Sequence, residues 1–397
     1  MKKYFPIFQN NPGLVFLDNA ASTQKPQTVI DGVSEFLAND YANIHRGFYK
    51  LSERSELAYH ASKEKLAQLI RAEAKEIIYT YNASYAFNLI AQTLVNSKKL
   101  GKGDTVLVGI WEHHSNILVW QTLSKSIGFS LKFIAVNSHF DIDREDFVTK
   151  YDESVKVVSV SQVSNVTGTI IDVARIKTLL RDDTFFIIDG SQSVPHFPVN
   201  MQTIGCDAFV MTAHKMLAHT GLGMLYLKHQ WVKELTPTIL GGGTVKDVSQ
   251  DAFSLQGNTD KFEAGTPNIV GAVSLLKALE FIESVGGIES IWNHEKELVT
   301  YATSEFTKRK EKVQVLGSLG EDTARVGVFS FIPYENQNFN RIGETFAQNN
   351  ICIRAGGHCA YPLHKSLGVG GSARMSSYLY NDIGDLENFF AILDPLI

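Results

Sequence analysis

The sequence predicts an α/β protein, a mainly parallel sheet between helices, with a smaller α+β unit at its carboxyl-terminal end. Three observations carry that expectation. Strand-like and helix-like segments alternate from about residue 60 to about residue 230, as repeated βαβ units do. Several strand-like segments are apolar throughout instead of alternating, as strands covered on both faces are. Beyond about residue 290 the texture changes to a long charged helix and well-separated strands.

In chain order, apolar residues three and four apart predict helices over 56–70, 84–95 and 117–127. Short apolar runs predict strands over 105–109, 131–136, 155–159, 185–189, 208–212 and 224–227. Turns are marked by Gly101-Lys102-Gly103-Asp104 and Gly241-Gly242-Gly243. A helix over 269–285 stops at Gly286-Gly287, where glycine accepts the left-handed backbone of a helix end. A charged helix over 292–312 and strands over 326–332 and 351–354 follow. The expected division is a large domain over 15–275 and a small one over 276–397, with 1–14 folding back onto the small domain.

With 37 basic and 42 acidic residues the net charge is −5, and no basic block appears, so neither nucleic acid nor an anionic membrane is an expected partner. No apolar run approaches the length of a membrane span. The start, Met1-Lys2-Lys3-Tyr4-Phe5-Pro6, lacks the apolar run of a signal peptide. Three cysteines are too few and odd in number for a disulfide framework and fit a reducing cytoplasm. Their spacing offers no metal site.

Chemistry concentrates where strands end. Asp189 closes the run Phe185-Phe186-Ile187-Ile188, and Lys215 follows the run Ala208-Phe209-Val210-Met211. Two strands thus bring a carboxylate and an amine to one sheet edge, where open α/β folds bind ligands. Pyridoxal 5'-phosphate needs that pair: an amine for the Schiff base and a carboxylate to keep the pyridine nitrogen protonated. Taken alone, the same residues also describe a strand-end acid and a surface lysine. Tyr81-Asn82-Ala83-Ser84 opens a helix, which suits either a phosphate or an ordinary helix cap. Glu112-His113-His114-Ser115-Asn116 puts an imidazole at a strand end, placed to stack on a planar ring or simply to begin a helix. Ser164-Asn165-Val166-Thr167-Gly168 offers an amide, or plain turn chemistry. Arg354-Ala355-Gly356-Gly357-His358-Cys359-Ala360 describes a glycine-hinged loop with a thiol beside a histidine, which is either activated or inert. Cys206 and Cys352 read as core thiols. Arg374 suits a bidentate carboxylate clamp or a surface position.

In order along the chain, these segments resemble the class V, fold-type I pyridoxal-phosphate enzymes, and within them the group II cysteine desulfurases and selenocysteine lyases. The likeness spans nearly the whole chain. It also takes in Leu17-Asp18-Asn19-Ala20-Ala21-Ser22, Asn43-Ile44-His45-Arg46-Gly47, Asp189-Gly190-Ser191-Gln192, His214-Lys215 and Glu263-Ala264-Gly265-Thr266-Pro267-Asn268. The resemblance implies a mainly parallel seven-stranded sheet and pyridoxal 5'-phosphate as cofactor. Lys215 would carry the Schiff base, Asp189 would pair with the ring nitrogen, His113 would stack on the ring, and Gln192 would bond its hydroxyl. Ala83, Ser84, Thr212 and His214 would hold the phosphate, with Thr266 supplied by the second subunit of a homodimer. Asn165 and Arg374 would receive the substrate carboxylate, and His45 and Arg46 of the partner would border the entrance. Cys359 would take sulfur from L-cysteine as a persulfide, with His358, if protonated, lowering its pKa, and would pass the sulfur to an acceptor protein for iron–sulfur or other sulfur-cofactor assembly. Selenocysteine lyase is the near alternative; an aminotransferase or epimerase in which Cys359 is incidental is the farther one. The chain departs from the family's usual pattern at Thr212-Ala213, at His219, at Gly357-His358 and at Asn82-Ala83-Ser84. No Gly-x-Gly-x-x-Gly follows an early strand, which argues against a dinucleotide-binding dehydrogenase.

Overall fold

The computed structural model describes residues 1–45, 47–320, 323–335 and 337–397. Its centre is a seven-stranded sheet of β1 (Ile77–Thr80), β2 (Thr105–Gly109), β3 (Ser130–Ile134), β4 (Val155–Ser161), β5 (Phe185–Asp189), β6 (Ala208–Thr212) and β7 (Gly223–Leu227). The spatial order is β1-β7-β6-β5-β4-β2-β3. Only β7 runs against the others, pairing antiparallel with both β6 and β1. The mainly parallel seven-stranded sheet is therefore as expected. β1, β2, β5, β6 and β7 are buried along their whole length, which is why their sequences lack alternation.

Successive residues still serve opposite faces. Val106, Val108, Ile187 and Val210 pack with helices α3 (Ala83–Asn96) and α4 (Leu118–Ile127). Leu107, Ile188, Phe209 and Met211 pack with α1 (Gln27–Asn39), α2 (Lys50–Leu69) and α5 (Ile269–Ser284). A second, fully antiparallel sheet of β8 (Val313–Leu316), β9 (Val328–Pro333), β10 (Arg354–Gly356) and β11 (Ser372–Ser376) has the order β8-β9-β11-β10. It packs through Phe329 and Phe331 on Phe306 of α6 (Gly287–Lys308) and Phe389 of α7 (Ile383–Leu393). The amino-terminal segment reaches the same region: Phe5 packs edge-on against Tyr380, and Val15–Phe16 pairs parallel with Ile351–Cys352. Among the described residues no helix is long and apolar enough to cross a membrane.

Several elements differ from the sequence reading for identifiable reasons. Helix α2 starts six residues earlier than expected. Its inward face is made of Ser52, Ser55 and Ser62 as well as Tyr59 and Leu66, so apolar periodicity understates it. Those serines are satisfied locally, Ser52 by the Asn43 carbonyl and Ser55 by the Asp40 carbonyl. The expected strand over 351–354 is two short pieces serving different neighbours, Ile351–Cys352 on the amino-terminal segment and β10 on β11. Helix α6 stops at Lys308, leaving a turn before β8. Strand β1, helix α1 and the hairpin of Val245–Val248 with Phe253–Leu255 lay outside the sequence reading.

Candidate active site

Five parallel strands end at one edge of the large sheet, and the residues following each of them meet in a single cavity of about 290 Å³. After β1, the Asn82 side chain accepts from the Tyr85 N–H at 2.9 Å and caps α3. The N–H groups of Ala83 and Ser84 precede the first intrahelical bond, from Ala86 N–H to the Asn82 carbonyl, as donors suited to an anion at a helix start do. After β2, Glu112 is fully buried and accepts from Ser161 N–H, Ser161 Oγ and Asn116 Nδ2, each at 2.6 Å. This ties the β2 turn to the end of β4. Burial pushes the Glu112 carboxyl up to about 8, against the pull of those donors.

His113 Nδ1 accepts from the Ser115 N–H at 3.2 Å, so its proton sits on Nε2. Burial, then the charge of Lys215, pushes its pKa down to about 3, and the ring is neutral at neutral pH. Asp189, at the end of β5, accepts from the Ser191 N–H at 2.9 Å, and burial holds its carboxyl above the ordinary range. Beyond β6 the turn Ala213–Lys215 presents the lysine. Burial lowers the Lys215 amine to about 8 while Asp189 opposes the shift. The turn is fixed from outside: the His214 carbonyl accepts from Thr23 N–H, Thr23 Oγ1, Ser22 Oγ and Lys25 Nζ at 3.1 to 3.3 Å.

The small sheet closes the cavity. Arg374 on β11 is buried and donates through Nη1 to the Asn165 carbonyl at 2.8 Å and through Nη2 to Asp18 at 3.4 Å. Arg354 on β10 makes a forked pair with the same Asp18 carboxylate, its shortest contact 2.8 Å. Cys359 is exposed yet lines the cavity, and Asn165 Nδ2 donates to the His358 carbonyl at 2.8 Å.

The structure gathers Lys215, Asp189, His113, Gln192, His214, Thr212, Ala83, Ser84, Asn165, Arg374 and Cys359 around one cavity. It does not bring in Thr266, which is exposed on its own loop, or His45, which is exposed near Glu56. Both were expected to serve a partner subunit. Arg46 lies outside the described residues. His358 is not the cation beside Cys359. It is buried, its Nε2 faces the Ser372 carbonyl and hydroxyl, and desolvation pushes its pKa down to about 2. The cations that interact with Cys359 are Lys215, Arg354 and Arg374. Arg354 and Asp18 were not singled out from the sequence, although both sit inside motifs that were; Asp18 is the residue that joins them.

Among the described residues, five buried polar atoms of cavity residues lack partners: Ser191 Oγ, Gln192 Oε1, His214 Nδ1, His358 Nδ1 and Arg374 Nε. With an amine, a carboxylate and a helix start around them, they fit a flat ring bearing an aldehyde, a hydroxyl, a basic nitrogen and a phosphate. A parallel sheet carrying this arrangement at its carboxyl edge defines a lysine-anchored pyridoxal-phosphate protein. The chain belongs to the class-V aminotransferase family, whose model matches residues 15–389. It is 35% identical to a probable cysteine desulfurase of Synechocystis over all of this chain and 95% of that one. It is 32% identical to a cysteine desulfurase of Haloferax volcanii over 96% of this chain and 89% of that one. Among solved structures, the apo cysteine desulfurase of Thermococcus onnurineus superposes with a TM-score of 0.92 at 31% identity, covering 100% of this chain and 97% of that one.

Proposed function

We propose that this protein is a cysteine desulfurase that converts L-cysteine to L-alanine and captures the sulfur as a persulfide on Cys359. The observation that carries this reading is that Cys359 lines the same cavity as Lys215 and Asp189. The family membership and the full-length likeness to cysteine desulfurases support it. Pyridoxal 5'-phosphate supplies the electron sink that makes the substrate Cα proton removable.

The chain supplies everything else. Asp189 would pair with the ring nitrogen, Gln192 Oε1 would accept the ring hydroxyl, and neutral His113 would cover the ring. The helix start at Ala83 and Ser84, with Thr212 and His214, would hold the phosphate. Arg374, with Asn165 beside it, receives the substrate carboxylate. Burial keeps the Lys215 amine near the balance between its two protonation states at physiological pH, which suits a group that must take and return a proton. The form of Cys359 that attacks sulfur is its thiolate. Sulfur leaves the substrate as the S–S bond to Cys359 forms, and the remaining three-carbon product is protonated to alanine.

The functional unit is a homodimer. Phe48 is 103% exposed, and Tyr49 and Leu57 beside it are more than half exposed, an apolar patch suited to a second copy that would bring Thr266, His45 and Arg46 to the site. The location proposed is the cytoplasm, which three unpaired cysteines favour, and a separate acceptor protein takes the sulfur onward.

The test is to incubate the cofactor-loaded protein with L-cysteine and a reductant and to measure alanine and sulfide together. Equal yields from wild type, both lost in Cys359→Ala, are expected. Unchanged yields in the variant would remove Cys359 from the mechanism, and an absence of alanine from wild type would point to another amino-acid substrate.

A further inference from the structure

Glu112-His113-His114 contains two adjacent histidines, and only the first faces the cofactor site in the reading above. The second turns the other way, towards the Cys359 loop. Its backbone N–H donates to the Cys359 carbonyl at 2.7 Å. Its ring Nε2 accepts the Tyr361 N–H at 3.2 Å, and its ring lies 5.2 Å from the Tyr361 ring at a tilt of 34°. His114 therefore grips the loop at the reactive residue itself and two residues beyond it.

That loop needs gripping. His358 and Cys359 are consecutive non-glycine residues with left-handed backbones, φ 48° and 55°. Each is disfavoured by on the order of 1 kcal/mol, and such conformations persist only where surrounding contacts over-determine them. Other contacts are the Asn165 bond to the His358 carbonyl, the His358 ring against Ser372 and a local turn from Ala360 N–H to the Gly357 carbonyl. Among the described residues, the hydrogen bond that ties the segment after Cys359 to the large domain is the one to the His114 ring. Accepting from Tyr361 requires a lone pair on Nε2, so the neutral tautomer carries its proton on Nδ1. Burial favours the neutral ring.

We propose that His114 is a positioning residue for Cys359: its ring acceptor and the Tyr361 amide hold the thiol loop in its left-handed form, facing the cavity. This rests on the reading of Cys359 as sulfur acceptor. The turn His114–Asn116 then couples the two halves of the reaction, with His113 on the cofactor side and His114 on the nucleophile side.

The test compares His114→Phe, which keeps a ring against Tyr361 but removes the acceptor, with His114→Gln, which restores an amide oxygen. In the cofactor-loaded protein three quantities are read: hydrogen exchange of the Tyr361 amide, the alkylation rate of Cys359, and kcat and KM for alanine formation. In His114→Phe the Tyr361 amide is expected to exchange about tenfold faster, the weight of one hydrogen bond. Cys359 alkylation rises severalfold, and kcat falls by about tenfold with KM within twofold. His114→Gln recovers most of the protection and of kcat. Unchanged exchange and alkylation in His114→Phe, or no recovery in His114→Gln, would overturn the proposal. Should His114→Phe not fold, His114→Ala carries the same comparison with Gln. Exchange and alkylation do not depend on turnover, so they judge the His114 contact even if Cys359→Ala were to keep its alanine yield.

Discussion

At the residue scale, Lys215 is held against its own charge. Its pKa is about 8 in the folded chain and near 10.5 when unfolded. Between those values the unfolded chain binds more protons, so stability rises with pH across that window, and the full penalty applies below about 8. The shift amounts to on the order of 3 kcal/mol. Cofactor-free Lys215→Met is therefore expected to melt higher than cofactor-free wild type at pH 7, the difference shrinking towards pH 10.5; equal melting temperatures at pH 7 would contradict this. Thiol labelling gives a second residue-level expectation. Cys206 is fully buried and its pKa is pushed far up, so an alkylating reagent should modify Cys359 in the native protein and reach Cys206 only on unfolding, as peptide mapping would show. Lys215, Asp189, His113 and Cys359 were legible in the sequence because each sits in a short motif with its own chemistry. The shared use of Asp18 by Arg354 and Arg374 was not, because the partners are more than 300 residues apart in the chain and no local spacing records the contact. The neutral state of His358 was equally hidden, since it follows from burial and not from its neighbour in sequence.

At the element scale, the cavity-facing end of α3 depends on a residue that no motif marks. Gly223 opens β7 directly beneath Asn82, and a Cβ there would lie 2.4 to 2.6 Å from Asn82 backbone atoms. A backbone cannot swing aside as a long side chain does, so Gly223→Ala must push the helix start away. The expected result is destabilisation of about 1–3 kcal/mol and roughly tenfold weaker cofactor retention, read by thermal melting and by dialysis against buffer. Retention equal to wild type would show that the helix start tolerates the shift. Most strands of the large sheet were readable because burial on both faces leaves continuous apolar runs. Helix α2 was only partly readable, since an inward face of serines carries no hydrophobic period. The split near Ile353 was unreadable, because each piece pairs with a strand distant in sequence.

At the scale of the whole molecule, a buried hydrogen-bonded pair joins the two sheets' surroundings. Glu295 on α6 meets His196 at 2.7 Å and accepts the Gly327 N–H at 2.7 Å, with neither side chain more than 4% exposed. Glu295→Ala strands both partners and is expected to cost about 3 kcal/mol or more in a denaturant titration, whereas a loss under 1 kcal/mol would mean the region relaxes around it. The homodimer proposed above carries its own expectation: Phe48→Asp with Leu57→Glu should shift the sedimentation coefficient from dimer to monomer and weaken cofactor retention together. A dimer of unchanged mass would place the interface elsewhere. The left-handed pair at His358 and Cys359 has one last consequence, which concerns breeding rather than mechanism. Glycine in place of Cys359 relieves backbone strain, so a library ranked by heat resistance alone would enrich glycine there and discard the thiol proposed to carry the sulfur. Any campaign to harden this protein must score turnover in every round, because at this position the hardier descendants lack that thiol.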